Sequence, residues 1–71
     1  MAGGAGVAGV VVEQLPSALY RIRLDEEGLV LAHIADRMDR NFVRVLVGDR
    51  VRVELSPVHN GRGRIVEKLR T

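Results

Sequence analysis

Seventy-one residues with no cysteine and only two aromatic side chains, Tyr20 and Phe42, make one small domain whose stability has to come from an aliphatic core. The missing cysteine excludes disulfides and thiolate metal sites, and no apolar run approaches the roughly 18 residues of a membrane span, so a soluble, cytoplasmic protein without membrane contact is expected. Net charge is only +2, but residues 1–36 set two arginines against five carboxylates, a net of −3, while residues 37–71 set nine basic residues, eight of them arginine, against four acids, a net of +5.

Such asymmetry suggests a nucleic-acid partner, although arginines that merely solvate outer strand faces explain it equally well. Residues 1–8 are rich in Gly and Ala and are expected to form a flexible tail before a single domain over 9–71. They carry no basic stretch or long apolar run of the secretory kind. From Val10 the apolar period is two. Val10, Val11 and Val12 open a strand that Glu13 to Ser17 interrupts, with Pro16 removing a ladder donor.

Leu19 to Leu24 alternates strictly, with Tyr20, Ile22 and Leu24 on the core side and Arg21 and Arg23 outside. The acidic turn Asp25-Glu26-Glu27-Gly28 leads to a third strand, Leu29 to Ile34, and completes a hairpin. Asp36 then offers a helix N-cap with Asp39 three residues on, and Met38 and Phe42 share one face, which predicts a short connecting helix. After Val47-Gly48-Asp49 the chain alternates again. Val51, Val53 and Leu55 are expected to point inward, and Arg50, Arg52 and Glu54 outward. Asn60-Gly61 marks a tight turn, and Arg64 to Glu67 is the last strand.

Three strands, a short helix and two more strands predict an all-β fold: a five-stranded closed antiparallel Greek-key barrel of the oligonucleotide-binding type, with the helix between strands 3 and 4. Closing the sheet removes exposed edges.

Gly9, Glu13-Gln14-Leu15-Pro16-Ser17 and Tyr20-Arg21-Ile22-Arg23-Leu24 resemble the opening of the bacterial translation initiation factor 1 family. The likeness continues through Ala32-His33-Ile34, Arg37-Met38, Arg40-Asn41-Phe42-Val43-Arg44-Val45-Leu46, Gly48-Asp49-Arg50-Val51, Glu54-Leu55-Ser56-Pro57 and Arg62-Gly63-Arg64-Ile65. The resemblance implies a monomeric barrel that binds the aminoacyl-tRNA site of the small ribosomal subunit. It further implies contacts with ribosomal RNA and a neighbouring ribosomal protein, and cooperation with the other initiation factors. The chain departs from the family pattern at Asp36, where Gly is usual, and at Asp39, where a basic residue is usual. It has Val58-His59 where the family has Tyr-Asp, and Glu67 where an aromatic is frequent. Asp39 and Glu67 put negative charge where RNA is expected.

The candidate RNA-binding residues are Arg37, Arg40, Asn41, Phe42 and Arg44 around the connector, Arg62 and Arg64 beside Gly63, Arg21 and Arg23 on the second strand, and Lys68. Phe42 is weighed between base stacking and packing on Met38, with packing preferred, and Tyr20 is assigned to the core. His33 and His59 lack any metal-ligand spacing, and a structural role is put first for His33. No nucleophile elbow or phosphate loop occurs, so no catalytic residue, metal or cofactor is expected. Two other readings stay open: a general single-stranded RNA binder or RNA chaperone, and a diverged protein-interaction paralogue.

Overall fold

In a computed structural model of the chain, residues 6–26, 28–35 and 44–69 are described. Their period-two sequences form five strands: β1 Gly6–Leu15, β2 Leu19–Leu24, β3 Leu29–Ile34, β4 Arg50–Leu55 and β5 Arg62–Lys68. The inward residues of the strands, joined by Val45 from the segment before β4, meet in one core of Val11, Tyr20, Ile22, Val30, Ala32, Val45, Val51, Val53 and Ile65, with Val7, Leu24 and Ile34 packed against it. Burial of each large member contributes about 1.5–3 kcal/mol relative to leaving it in water. The expected alternation holds in β2, where Tyr20 and Ile22 are buried and Arg23 is exposed, and in the Val51/Val53 pair of β4. It fails at Leu55, which is 42% exposed. Its register partner is Gly63 near the start of β5, where the chain is already leaving for the next loop.

The strands close into a barrel in the order β1-β2-β3-β5-β4, with β4 pairing back onto β1. The expected wholly antiparallel barrel needs correcting, because β3 and β5 run parallel, with Ala32 opposite Gly63 and Ile34 opposite Ile65. The cause is parity. Strand directions cannot alternate all the way round a closed ring of five, so at least one neighbouring pair must point the same way. The connecting helix expected over 36–43 lies outside the described residues.

β1 is longer than its sequence pattern suggested. It starts at Gly6, so Gly6, Val7 and Ala8, assigned above to a tail, pair with Glu54, Val53 and Arg52 of β4. It also continues through Glu13 and Gln14 to Leu15, pairing with β2, and Val12 is the extra residue of a bulge between Val11 and Glu13. Both partners therefore share β1, and the two ladders overlap at Gly9 and Val10. A Cβ on Gly9 would sit 2.5 Å from the Arg23 carbonyl oxygen and 2.8 Å from Ile22 Cγ2. Only hydrogen fits there.

Gly63 meets the same constraint. Its Cβ would lie 2.7 Å from the Glu54 carbonyl oxygen and 2.9 Å from Val53 Cγ1. β5 accordingly begins at Arg62, two residues before its expected start, and Gly63 is a strand residue pressed against β4. The Asn60-Gly61 turn does form: Gly61 has φ of 75°, and the Arg62 amide donates to the His59 carbonyl.

Polar ties close the seams. Arg50 donates two hydrogen bonds to Asp25, at 3.2 and 2.7 Å, joining the end of β2 to the start of β4. Asp49 Oδ2 accepts from the Leu46 amide at 2.8 Å and pairs with Lys68 Nζ at 3.3 Å. The Arg50 hydrogen bonds hold the Asp25 carboxyl below its ordinary value of 3.8 and raise the guanidinium in turn; the Leu46 amide, with a smaller contribution from Lys68, lowers Asp49.

Two outcomes follow for stability. Gly63→Ala should lower the unfolding free energy by roughly 1–3 kcal/mol in urea denaturation, and an unchanged midpoint would show that β4 and β5 part freely. Since Asp25 and Asp49 have lowered folded-state pKa values, their contribution is complete above the unfolded value of 3.8 and is lost as pH falls through the folded ones. The melting temperature should therefore drop on acidification below about pH 4, and the Asp25→Asn/Asp49→Asn double variant should show a smaller drop over the same interval.

Candidate nucleic-acid interface

The outward side chains of β2, β3 and β5 form a continuous surface set by register. One cross-strand row runs Glu13, Arg21, Leu31, Arg62; another runs Leu19, His33, Arg64, Glu54; and Arg23 lies opposite Leu29. Strands in a sheet lie about 4.8 Å apart, which puts the Arg21 and Arg62 backbones roughly 10 Å from each other. Four candidates, Arg21, Arg23, Arg62 and Arg64, are thus gathered on one face around Leu29, Leu31 and His33. In barrels of this type the face of strands 2 and 3 and the loop between strands 4 and 5 are customary oligonucleotide contacts.

Beside this face, the 56–61 loop bounds an open cleft of about 900 Å³ whose lining includes His33, Glu54, His59, Arg62 and Arg64. The loop is held by its own backbone and one hydroxyl. Ser56 Oγ accepts from the amides of Val58 and His59, at 3.2 and 3.0 Å, and the Ser56 amide donates to the Arg62 carbonyl.

Ion pairs decide which cations are engaged inside the molecule. Arg21 pairs with Glu13 at 2.7 Å, Arg52 with Glu67 at 3.0 Å and Arg64 with Glu54 at 2.9 Å. Arg64 aims both Nε and Nη2 at the same Glu54 oxygen, which fixes the plane of its guanidinium. Glu67, read from sequence as a negative charge against RNA, is occupied by Arg52. Arg23, Arg44 and Arg62 have no carboxylate within ion-pair distance among the described residues. Exposed pairs of this kind are worth about 0–1 kcal/mol, so Arg21 and Arg64 can exchange a carboxylate for a phosphate at little cost.

The remaining candidates stand apart. Lys68 is tied to Asp49 and donates to the Arg44 carbonyl at 3.1 Å, six residues along β5 from Arg62, which is roughly 20 Å of strand. Arg37, Arg40, Asn41 and Phe42 lie outside the described residues. The points flanking them are both attached to β5: the Ala35 amide donates to the Ile65 carbonyl, and the Arg44 carbonyl accepts from Lys68. Tyr20, buried at 7% exposure, is a core residue as expected.

Sequence reasoning put a structural role first for His33 and did not bring it together with His59. His33 is exposed beside Arg64, and His59 lines the same cleft. The alternation of buried Val30 and Ala32 with outward Leu29 and Leu31 already put His33 outside. Among the described residues no group of three or more His, Cys, Asp or Glu is placed to hold a metal ion.

Comparison with known proteins gives this geometry a context. The family model for translation initiation factor 1A / IF-1 matches residues 4–71. The chloroplastic translation initiation factor IF-1 of Dioscorea elephantipes is 45% identical over 62 residues, covering 87% of this chain and 80% of that protein. The corresponding factor of Phalaenopsis aphrodite subsp. formosana is 47% identical over the same length and coverage. Among solved structures, the translation initiation factor 1 from the wolbachia endosymbiont strain TRS of Brugia malayi superimposes with a TM-score of 0.75 at 36% identity, covering 92% of this chain and 77% of that one. YjeQ from Thermotoga maritima superimposes with a TM-score of 0.73 at 24% identity over 92% of this chain but only 23% of its own, a likeness of fold alone. A match along nearly the whole sequence, carried on a closed five-stranded barrel, makes this chain a member of the translation initiation factor 1A / IF-1 family, with a non-enzymatic role in translation initiation.

Proposed function

We propose that the protein acts by binding ribosomal RNA in the aminoacyl-tRNA site region of the small ribosomal subunit, as a monomer. Its partners there are a neighbouring ribosomal protein and the other initiation factors. The observation that carries this reading is the convergence of Arg21, Arg23, Arg62 and Arg64 on the β2–β3–β5 face, two of them without a carboxylate partner among the described residues. Arginine suits the role because its planar fork matches phosphate oxygens and stacks on bases. Arg37, Arg40, Asn41, Phe42 and Arg44 extend the contact from the connector, and Lys68 contributes only by exchanging its Asp49 contact.

The mechanism is binding without chemistry. Phosphate neutralisation supplies affinity and the shape of the barrel selects the folded site. A general single-stranded RNA binder would instead rely on stacked surface aromatics. The β2–β3–β5 face presents leucines between its arginines, and Tyr20 is committed to the core. The relatives named above come from chloroplasts and from a bacterial endosymbiont, so the expected cytoplasmic location widens to whichever compartment houses the cognate ribosomes.

Replacing Arg23 and Arg62 together by Ala should weaken small-subunit binding roughly tenfold or more and reduce the log–log salt slope by about 2, with the thermal melt nearly unchanged. Equal affinity and slope in that double variant would remove the face from the account. The Arg40→Ala/Arg44→Ala pair tests the connector in the same assay. It should also lower affinity, and unaltered binding would make those arginines decorative.

A further inference from the structure

Two histidines that the family pattern does not explain as a pair, 26 positions apart in sequence, line one cleft together with Arg62, Arg64 and Glu54. His33 is outward on β3, directly opposite Arg64 of the parallel partner β5. His59 sits in a loop whose conformation is fixed at both ends: Ser56 Oγ accepts from its amide, and its carbonyl accepts from the Arg62 amide. Both side chains are exposed, and neither packs into the core, so the fold does not require imidazole at either position.

We infer that this cleft is a phosphodiester-binding subsite for RNA in which His33 and His59 act with Arg62 and Arg64, so that affinity rises as the imidazoles take up protons. The inference rests on the RNA-binding reading above and adds to it a named site and a pH response. Its physical basis is the small charge of the cleft. With neutral imidazoles, two guanidiniums against the Glu54 carboxylate leave one net positive charge. With both imidazoles protonated, the cleft carries three.

Histidine is the side chain whose charge ordinarily changes between about pH 5 and 8, and small influences move it across the physiological range. The charged groups that line the cleft with these imidazoles are, among the described residues, Glu54 from β4 and Arg62 and Arg64 from β5; β2 offers only the uncharged Leu19 opposite His33. A bound phosphate attracts a protonated imidazole and a protonated imidazole attracts the phosphate, so ligand and proton bind cooperatively, and each strengthens the other by the same factor. The backbone hydrogen bonds of the 56–61 loop and the parallel β3–β5 ladder set the positions from which the four side chains project, and Glu54 orients Arg64, which reduces the ordering cost of binding.

The test is binding of the full chain to purified small ribosomal subunits at about pH 6 and about pH 8, for the wild type and for His33→Gln/His59→Asn. The wild type should bind roughly tenfold tighter at the lower pH, with a salt slope steeper by about 1 to 2. The double variant, whose melt should match the wild type, should bind nearly as the wild type does at the higher pH and lose most of the gain at the lower. A wild-type affinity that does not change with pH, or a double variant that keeps the full pH response, would overturn the subsite. Wild-type binding at the higher pH reports separately on the parent reading, because the arginines alone sustain it there. Its absence would sink both.

Discussion

The placement of the barrel's candidate side chains rests on one seam, at Gly9, where β1 pairs with both its neighbours and closely approaches β2. The strand pairs with β4 through its first half and with β2 through its second, and at Gly9 the backbone of β2 comes too near for any side chain. Closure at that seam brings Val11, Ile22, Val51 and Val53 into a single core of small aliphatic side chains. Without it the same strands would leave two unpaired edges, and 71 residues without a cysteine have no disulfide to compensate. Gly63 repeats the device between β4 and β5. Both glycines are required because backbone meets backbone, and a chain this small has no other room to turn a sheet into a barrel.

Once the ring is closed, its odd strand number makes one pair parallel, and that pair is β3 with β5. The consequence for function is direct. A parallel ladder puts Arg62 beside Leu31 and Arg64 beside His33, which aligns the basic start of β5 with the basic outer face of β2 two strands away. The hairpin loop of residues 56–61 then closes one side of this surface and makes a cleft of what would otherwise be a convex wall. Carboxylates parcel out much of the remaining charge. Glu13, Glu54, Glu67, Asp25 and Asp49 each hold a cation, and this is how a basic protein avoids an indiscriminate positive surface. Because such exposed pairs are weak, they orient arginines without withholding them from a stronger anion.

Local pattern was enough to find the strands of the middle and most of the core, because a period of two with Val, Ile, Leu and Tyr inside has only one way to face away from water. Tyr20, Ile22, Val51 and Val53 were legible on that ground, and so were the Asn60-Gly61 turn and the outward arginines of β2. The family likeness was legible in the run from Ala32 to Val51. The same local reasoning misjudged the ends of elements. It assigned Gly6 to Ala8 to a tail because glycine and alanine carry no pattern, and it turned Leu55 inward because it carried the alternation to the last residue of β4, which lies beyond the core.

Whatever involves more than one strand at once emerged with the closed barrel. Parity made β3 and β5 parallel. Register gathered Arg21, Arg23, Arg62 and Arg64 while leaving Lys68 bound to Asp49 at the far end of β5, and it carried His59 to the cleft that His33 faces. Glu67, which looked like an obstacle to RNA, became the partner of Arg52. Each of these is a relation between residues distant in the chain, set by how a twisted sheet closes on itself, and no local period encodes where such a sheet meets its own edge.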